Sequence, residues 1–442
     1  MNQTYRMAFF YVFIFCIIGM LAGCGKNDAD SPNTQAQNGH ESPSEYKGGP
    51  AELIVYDYSI GLTDAQFESF FVEPVKAKYP EISLVRTTES IDKQIAAGTF
   101  PDIVLVSNVS LIKMMEDYAI PDDLTQMIKT YNIDLGQIEP AAVAQVKKIG
   151  DQKTFNGLPI SINYGATIFN KDIFDKFGVA YPKEVMTFEE ALEIAKKLTR
   201  TEGGTNYKGF LPTDLRQMFW QYGVPVYDKA AKKAILTTDA HAKVLSLVQQ
   251  FYSIPGFIEG TNFRYNPDLF FKEQRLAMYP LWINAINLYF ERAGTKDAFK
   301  WDLAASPTFS DRPGLGRELD FHMASVSTTS KNKEAAYMVL KTLLSKEVQL
   351  KISKAGRVSA LLDDEIRNAF GEDSGLFNGK NLQAIFKVKP SPLPESSKFD
   401  PQINAIVNAD VSRDVMVNGI DINTALRKGE EKANKEIDGI GQ

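Results

Sequence analysis

The chain has 442 residues, enough for two substantial domains with cores of their own. Hydrophobic residues at 44% and charged residues at 24% exclude disorder along the whole length, and a net charge of −6 without any basic block gives no reason to expect nucleic acid as a partner. The two cysteines, Cys16 and Cys24, both lie within the first 24 residues, so the body has no disulfide and no thiol chemistry.

Residues 1–6 carry one positive side chain, Arg6, and Met7–Met20 is a continuous apolar run that ends in Leu21-Ala22-Gly23-Cys24. An apolar core followed by small residues is the form of a secretory signal. The last four residues resemble the lipobox of bacterial lipoproteins. That resemblance implies removal of residues 1–23, lipid modification of Cys24, and a protein held at the membrane by acyl chains. The alternative is an uncleaved span, for which the run is short of the ~20 residues required. The rest of the stretch 24–50 is almost devoid of apolar side chains and is expected to be a disordered tether, with an end-to-end distance of roughly 25–30 Å.

Ala51–Tyr58 reads as an opening strand buried on both faces. Thr63–Lys78 reads as a helix, with Thr63 and Gln66 forming a capping box and Phe67, Phe70, Phe71 and Val75 on one face. A strand at Ile82–Arg86, a helix at Ile91–Ala97 and a strand at Pro101–Val106 complete a β-α-β-α-β order, which implies a parallel, right-handed, doubly wound sheet. Ligands of such sheets bind beyond the carboxyl ends of strands, here Asp57-Tyr58-Ser59 and Ser107-Asn108.

Lys153–Gly178 then packs several events into few residues. A turn at Asn156-Gly157 leads into the extended runs Leu158–Asn163 and Ala166–Phe169. After the polar break Asn170-Lys171-Asp172, an amphipathic segment starts with Ile173, Phe174 and Phe177. The backbone is passing from one compact unit to the next. Thr187–Glu190 is a second capping box, opening a helix with Leu192, Ile194, Ala195 and Leu198 apolar. In Leu215–Tyr222, helical spacing puts Phe219 in the core and turns Trp220 about 100° away from it. Pro267–Trp282 contains the run FFKEQRLAMYPLW, and Trp301–Phe309 reads as a strand and turn. Gly314-Leu315-Gly316 opens no βαβ unit and is a turn, not a dinucleotide site. Ala324–Ser330 is a strand, and Ser330–Ala336 (SKNKEAA) starts a helix continued by Val339, Leu340, Leu343 and Leu344. Lys389–Pro401, with four prolines, is expected to lie extended over the surface, and Ile422–Ile437 is the last helix.

Catalytic signatures are missing from this pattern. His40, His241 and His322 are scattered, and there is no H-E-x-x-H, no G-x-S-x-G, no phosphate loop and no Cys/His cluster, so no metal and no cofactor is expected. The abundant carboxylates show no pairing and read as acids on solvated helix faces.

Five stretches carry a resemblance to a known family: Gly98–Val104 (GTFPDIV), Gly157-Leu158-Pro159 with Phe169–Phe174 (FNKDIF) after it, Thr187–Leu192 (TFEEAL), Phe270–Trp282, and Ser330–Ala336. In this order they resemble family 1 of the extracellular solute-binding proteins of bacterial ABC importers, the maltose-binding-like group. The resemblance implies an α/β, two-lobed periplasmic-binding-protein type II fold. Each lobe would be a doubly wound, mostly parallel sheet flanked by helices, with hinge crossings near Ile160–Gly165, Ala304–Pro307 and Arg357–Leu361. The N-terminal lobe would comprise 51–160 and 306–358, and the C-terminal lobe 161–305 and 359–442.

By the same resemblance the protein is a monomeric, membrane-tethered receptor. It captures a carbohydrate, expected to be an oligosaccharide, by hinge closure and delivers it to the permease of an ABC importer. Carried over by position, Tyr58, Ser107, Asn108, Tyr164 and Trp282 become ligand candidates; Trp220 joins them, as does Asn284, two positions beyond Trp282 on the same strand face. Trp282 would cover the C–H face of a sugar ring while hydroxyls reach polar neighbours. Alternatives stay open: Ser107 and Asn108 suit ordinary strand-end turns, and Trp282 suits a core. Gln274 stands where the family pattern has Gly, which affects the turn before the strand. A surface carbohydrate-active enzyme, or a receptor for a non-sugar solute, is the competing functional reading.

Overall fold

The computed structural model describes residues 46–440 apart from Ser59 and Lys296. The apolar N-terminal run, Cys24 and the tether as far as residue 45 lie outside the described residues. The end of the expected tether belongs to the body instead: the Tyr46 ring meets Tyr79 edge-on at 6.2 Å, because an aromatic ring gains more by packing than by staying in solvent.

The first sheet has six strands in the order Val358–Ser359, Leu158–Asn163, Asp320–Val326, Ile103–Ser107, Ala51–Asp57 and Ile82–Thr87. Its central strand, Ile103–Val106, is fully buried, as its unbroken apolar sequence requires. The opening helix starts at the Thr63–Gln66 capping box as expected, with a π turn over Glu68–Val72 inside it. A five-stranded second sheet runs Trp301–Ala305, Gly165–Asn170, Leu276–Trp282, Thr205–Phe210 and Arg200–Glu202. The second capping box, Thr187 with Glu190, opens the helix Phe188–Leu198 on this side. Buried phenylalanines fill the core beside it, among them Phe210, Phe219, Phe251, Phe270, Phe271 and Phe290. No helix among the described residues is long and apolar enough to cross a membrane.

Both sheets are mixed, which corrects the expectation of mostly parallel ones. The strand Asp320–Val326 runs antiparallel to both its neighbours, and Gly165–Asn170 is antiparallel to Leu276–Trp282 and Trp301–Ala305. The cause is the chain's repeated passage between sheets. Leu158–Asn163 leaves the first sheet at the edge facing the second, so a strand returning through that edge must run the opposite way. The last passage also falls later than Arg357–Leu361: Val358 and Ser359 pair with Ile162 and Ser161, and the Leu362 amide donates to Gln137 in the first lobe. Asp320–Val326 likewise starts four residues before the predicted strand, and the start of the proline-rich segment, Lys389–Ser391, pairs as a strand with Leu315–Glu318 and buries Ser391.

Gln274 adopts φ +53°, the left-handed conformation that its position demands. The turn is therefore kept without glycine, at a cost of about 1–2 kcal/mol.

Candidate ligand-binding cleft

The strand ends of both sheets converge at Tyr164, the single residue between Leu158–Asn163 and Gly165–Asn170. On the first sheet Asn163 faces Asp320; on the second, Gly165 faces Trp282. Asn163 ties them together. Its side-chain amide donates to Asp320 at 2.7 Å, and its carbonyl accepts from the Asn284 backbone at 3.2 Å. Asn284 in turn donates to the Ile162 carbonyl at 3.3 Å and accepts from the Val358 amide at 3.4 Å. Four separate stretches of chain are thus cross-bonded at one place.

Arg317 lies across this junction. A Cβ added at Gly165 would come within 2.5 Å of the Arg317 Cβ and Cγ, so the close approach requires glycine there. The Arg317 guanidinium rests 3.8 Å from the centre of the Trp282 ring, and its Nη2 is 3.5 Å from Glu318 Oε1. Both charged residues are 3% exposed. Burial pushes the Glu318 carboxyl above the ordinary carboxylate range. Burial likewise takes Asp320 up to about 6, against the pull of its Asn163 hydrogen bond and of Arg317.

That shift has a testable consequence. A carboxyl whose folded-state pKa lies above its unfolded value favours folding while protonated. Its contribution is complete below the ordinary 3.8 and is lost as pH rises through about 6. Asp320→Asn, which keeps an acceptor for Asn163, is expected to raise the melting temperature at pH 7 but not at pH 3.5, and to flatten the profile between roughly pH 4 and 6. Equal effects of the substitution at both pH values would contradict the assignment.

Beside the junction an open pocket is lined by Thr213, Asp214, Arg264, Tyr265, Asn408 and Ser412, among others. Tyr265 stacks on Tyr279 at 4.7 Å and donates its hydroxyl to the Pro280 carbonyl at 2.6 Å, so its ring is rigidly placed. Asp214 caps the helix Leu215–Tyr222 by accepting from the Gln217 amide. Asp214 and Tyr265 are both close enough to Arg317 to act on its charge, which links the pocket to the junction.

The residues singled out from sequence separate into groups here. Trp282 is half-buried at the junction, at the end of its strand. Tyr58 is half-buried where the first strand ends, its ring edge-on to Tyr56 at 5.9 Å. Asn284 is engaged in the cross-bonds described above. Asn108 is buried, with its amide on the Leu319 carbonyl and its carbonyl on the Phe321 amide, both at 3.1 Å; it holds the start of a neighbouring strand. Ser107 precedes the helix Asn108–Tyr118 and bonds Ser110 at 3.0 Å. Tyr164 packs on Phe386 at 5.3 Å in a separate cavity with Glu139, Leu361 and Arg367, where burial raises its pKa to about 12. Trp220 carries the Arg216 guanidinium on its ring at 4.8 Å and is not part of the pocket lining.

Sequence reading missed Arg317, Glu318, Asp320, Asp214 and Tyr265. A signal existed for the first three: charges at 317, 318 and 320 sit at the mouth of an apolar strand, where buried ions call for a reason. Tyr265 has no local signal, because its place depends on Tyr279 from a different element.

Two lobes of mixed α/β structure, joined by several chain passages with polar and aromatic groups at the junction, define the class of two-lobed binding proteins. The chain belongs to the bacterial extracellular solute-binding protein family, whose sequence profile matches residues 65–350. A binding protein of Brucella abortus (strain 2308) is 25% identical over 301 residues, which is 64% of this chain and 69% of that one. Among solved structures, an ABC substrate-binding protein from Listeria monocytogenes in complex with cycloalternan superposes with a TM-score of 0.71 at 20% identity, covering 87% of this chain and 98% of that one. A solute-binding protein from Thermotoga lettingae with bound α-D-tagatose gives 0.68 at 19% identity, with coverage of 87% and 99%. Maltose-bound MalE3 of T. maritima gives 0.63 at 18%, with coverage of 86% and 98%.

Proposed function

We propose that this protein captures a carbohydrate, with an oligosaccharide as the favoured size class, in the cleft between its two sheets and passes it to an ABC importer permease. The observation that carries the proposal is the placement of Trp282. It is a half-buried indole at a strand end where both sheets meet, with the Arg317 guanidinium on its ring and the hydrogen-bonded Asn163 and Asp320 at the same junction. An aromatic face beside several hydrogen-bonding groups is what a sugar ring needs. The sugars bound by the Listeria and Thermotoga proteins support the same reading. Closure about the three passages would trap the solute, and the closed form would be what the permease recognises. Tyr58 belongs with Trp282 in this site as its counterpart on the first lobe. The lipobox-like ending at Cys24 supports anchoring on the outer face of the cell membrane; loss of membrane-fraction recovery in Cys24→Ala would be its signature.

The test is tryptophan fluorescence of the ectodomain from Lys26 onward, titrated with plant and microbial oligosaccharides. A saturable change with one sugar class, at constant sugar concentration over hours, is the expected result. No response to any sugar defeats the carbohydrate reading, and sugar consumed during the incubation defeats the receptor reading in favour of an enzyme.

A further inference from the structure

Arg317 and Glu318 hold buried hydrogen-bonding capacity that the protein leaves unused. Among the described residues, Arg317 Nε, Arg317 Nη2 and Glu318 Oε2 are all buried without a hydrogen-bond partner. The Glu318 Oε1 contact with Arg317 Nη2 is an ion pair at 3.5 Å. Buried charged groups are nearly always satisfied, so three such atoms on two adjacent residues mark a place where something else binds.

The geometry restricts what that is. One face of the guanidinium lies on Trp282 at 3.8 Å, which leaves its edge as the binding surface. Nε and Nη2 share that edge and present two parallel N–H donors. A carboxylate would suit two such donors if the arginine were alone. It is not alone: Glu318 pairs with it, and Asp320 acts on it from the start of the next strand. An anion entering here would face two acids, one of which has an oxygen still seeking a donor. The complement of two donors and one acceptor, with the charge already balanced, is a neutral group that both accepts and donates. Adjacent hydroxyls do both.

We infer that Arg317 and Glu318 form a hydroxyl-reading pair at the base of the cleft, which selects neutral sugars with vicinal hydroxyls over uronic acids and sugar phosphates. This deepens the carbohydrate reading and rests on it. Arg317 donates to the hydroxyl oxygens, Glu318 accepts a hydrogen bond from a hydroxyl O–H, and Glu318 together with Asp320 repels an acidic substituent.

The test is calorimetric titration of the ectodomain with matched pairs: glucose with glucuronate, galactose with galacturonate, mannose with mannuronate, and the corresponding disaccharides. In the wild type the neutral member of the pair that binds is expected to be at least about tenfold tighter than its uronate. Glu318→Gln is nearly isosteric and should reduce that ratio to less than about threefold, while Arg317→Met, whose stem still covers Trp282 and Gly165, should weaken the neutral sugar by roughly 10- to 100-fold. The ratio is read within one preparation, so partial unfolding of a variant does not alter it. A uronate that binds as tightly as its neutral partner, or a ratio unmoved by Glu318→Gln, overturns the inference while leaving the carbohydrate reading in place. Failure of every sugar, neutral and acidic, to bind the wild type overturns both.

Discussion

Trp282→Ala is expected to weaken sugar binding by roughly 30- to 700-fold, the loss of about 2–4 kcal/mol typical of an aromatic hot spot, while the ectodomain stays folded. The indole is half-buried and stands at a strand end, so truncation opens no closed void in the packed core. Its removal acts twice on the site. The sugar loses its apolar platform, and the Arg317 guanidinium loses the ring on which it rests at 3.8 Å. Trp282→Phe should recover a large part of the affinity, because a smaller ring still supports both. Titration calorimetry with the sugar identified by fluorescence, alongside thermal melting, separates binding from stability. Affinity within threefold of the wild type would remove Trp282 from the site, and a collapse of the melting transition would assign it to the core.

Asn108→Ala is expected to behave in the opposite way, although both residues are ligand candidates by position. Its side chain serves two backbone groups of a neighbouring strand, the Leu319 carbonyl and the Phe321 amide. Alanine leaves both without that partner in a buried setting, at a cost of about 1–3 kcal/mol for each orphaned group. A stability loss of about 2–6 kcal/mol in urea unfolding is therefore expected. Affinity of the folded fraction should change by less than about tenfold, an indirect effect through Asp320, which begins the strand that Asn108 holds. A variant of unchanged stability that fails to bind would return Asn108 to the ligand set.

These two residues show how far a linear reading reaches. Strand ends are visible in sequence because apolar runs stop there, and the family resemblance made Asn108 and Trp282 ligand candidates. Which way a side chain turns at a strand end depends on what the neighbouring strand brings beside it. Asn108 meets the backbone of a strand more than 200 residues later, while Trp282 meets Arg317 and the glycine of the first crossing. Tyr164 makes the same point: it stands at the crossing, as expected, yet its ring packs behind the junction against Phe386.

Local chemistry was decided by the sequence alone. Both capping boxes start helices where Thr63 and Thr187 place them, since a cap needs only residues three apart. The apolar strands and their order were also set locally, by runs that can only be buried. Two sheets and the motifs that mark the family follow from these. The first three strands pair parallel as their order implies, but the direction of the strands that return between the sheets, the position of the last passage, and the charged base of the cleft were decided only by the tertiary structure. Direction depends on which edge a returning chain must enter, and a buried ion becomes tolerable only when distant segments supply its partners. The charge at Arg317 is visible in the linear pattern, but only Gly165, Trp282 and Glu318 together give it its place.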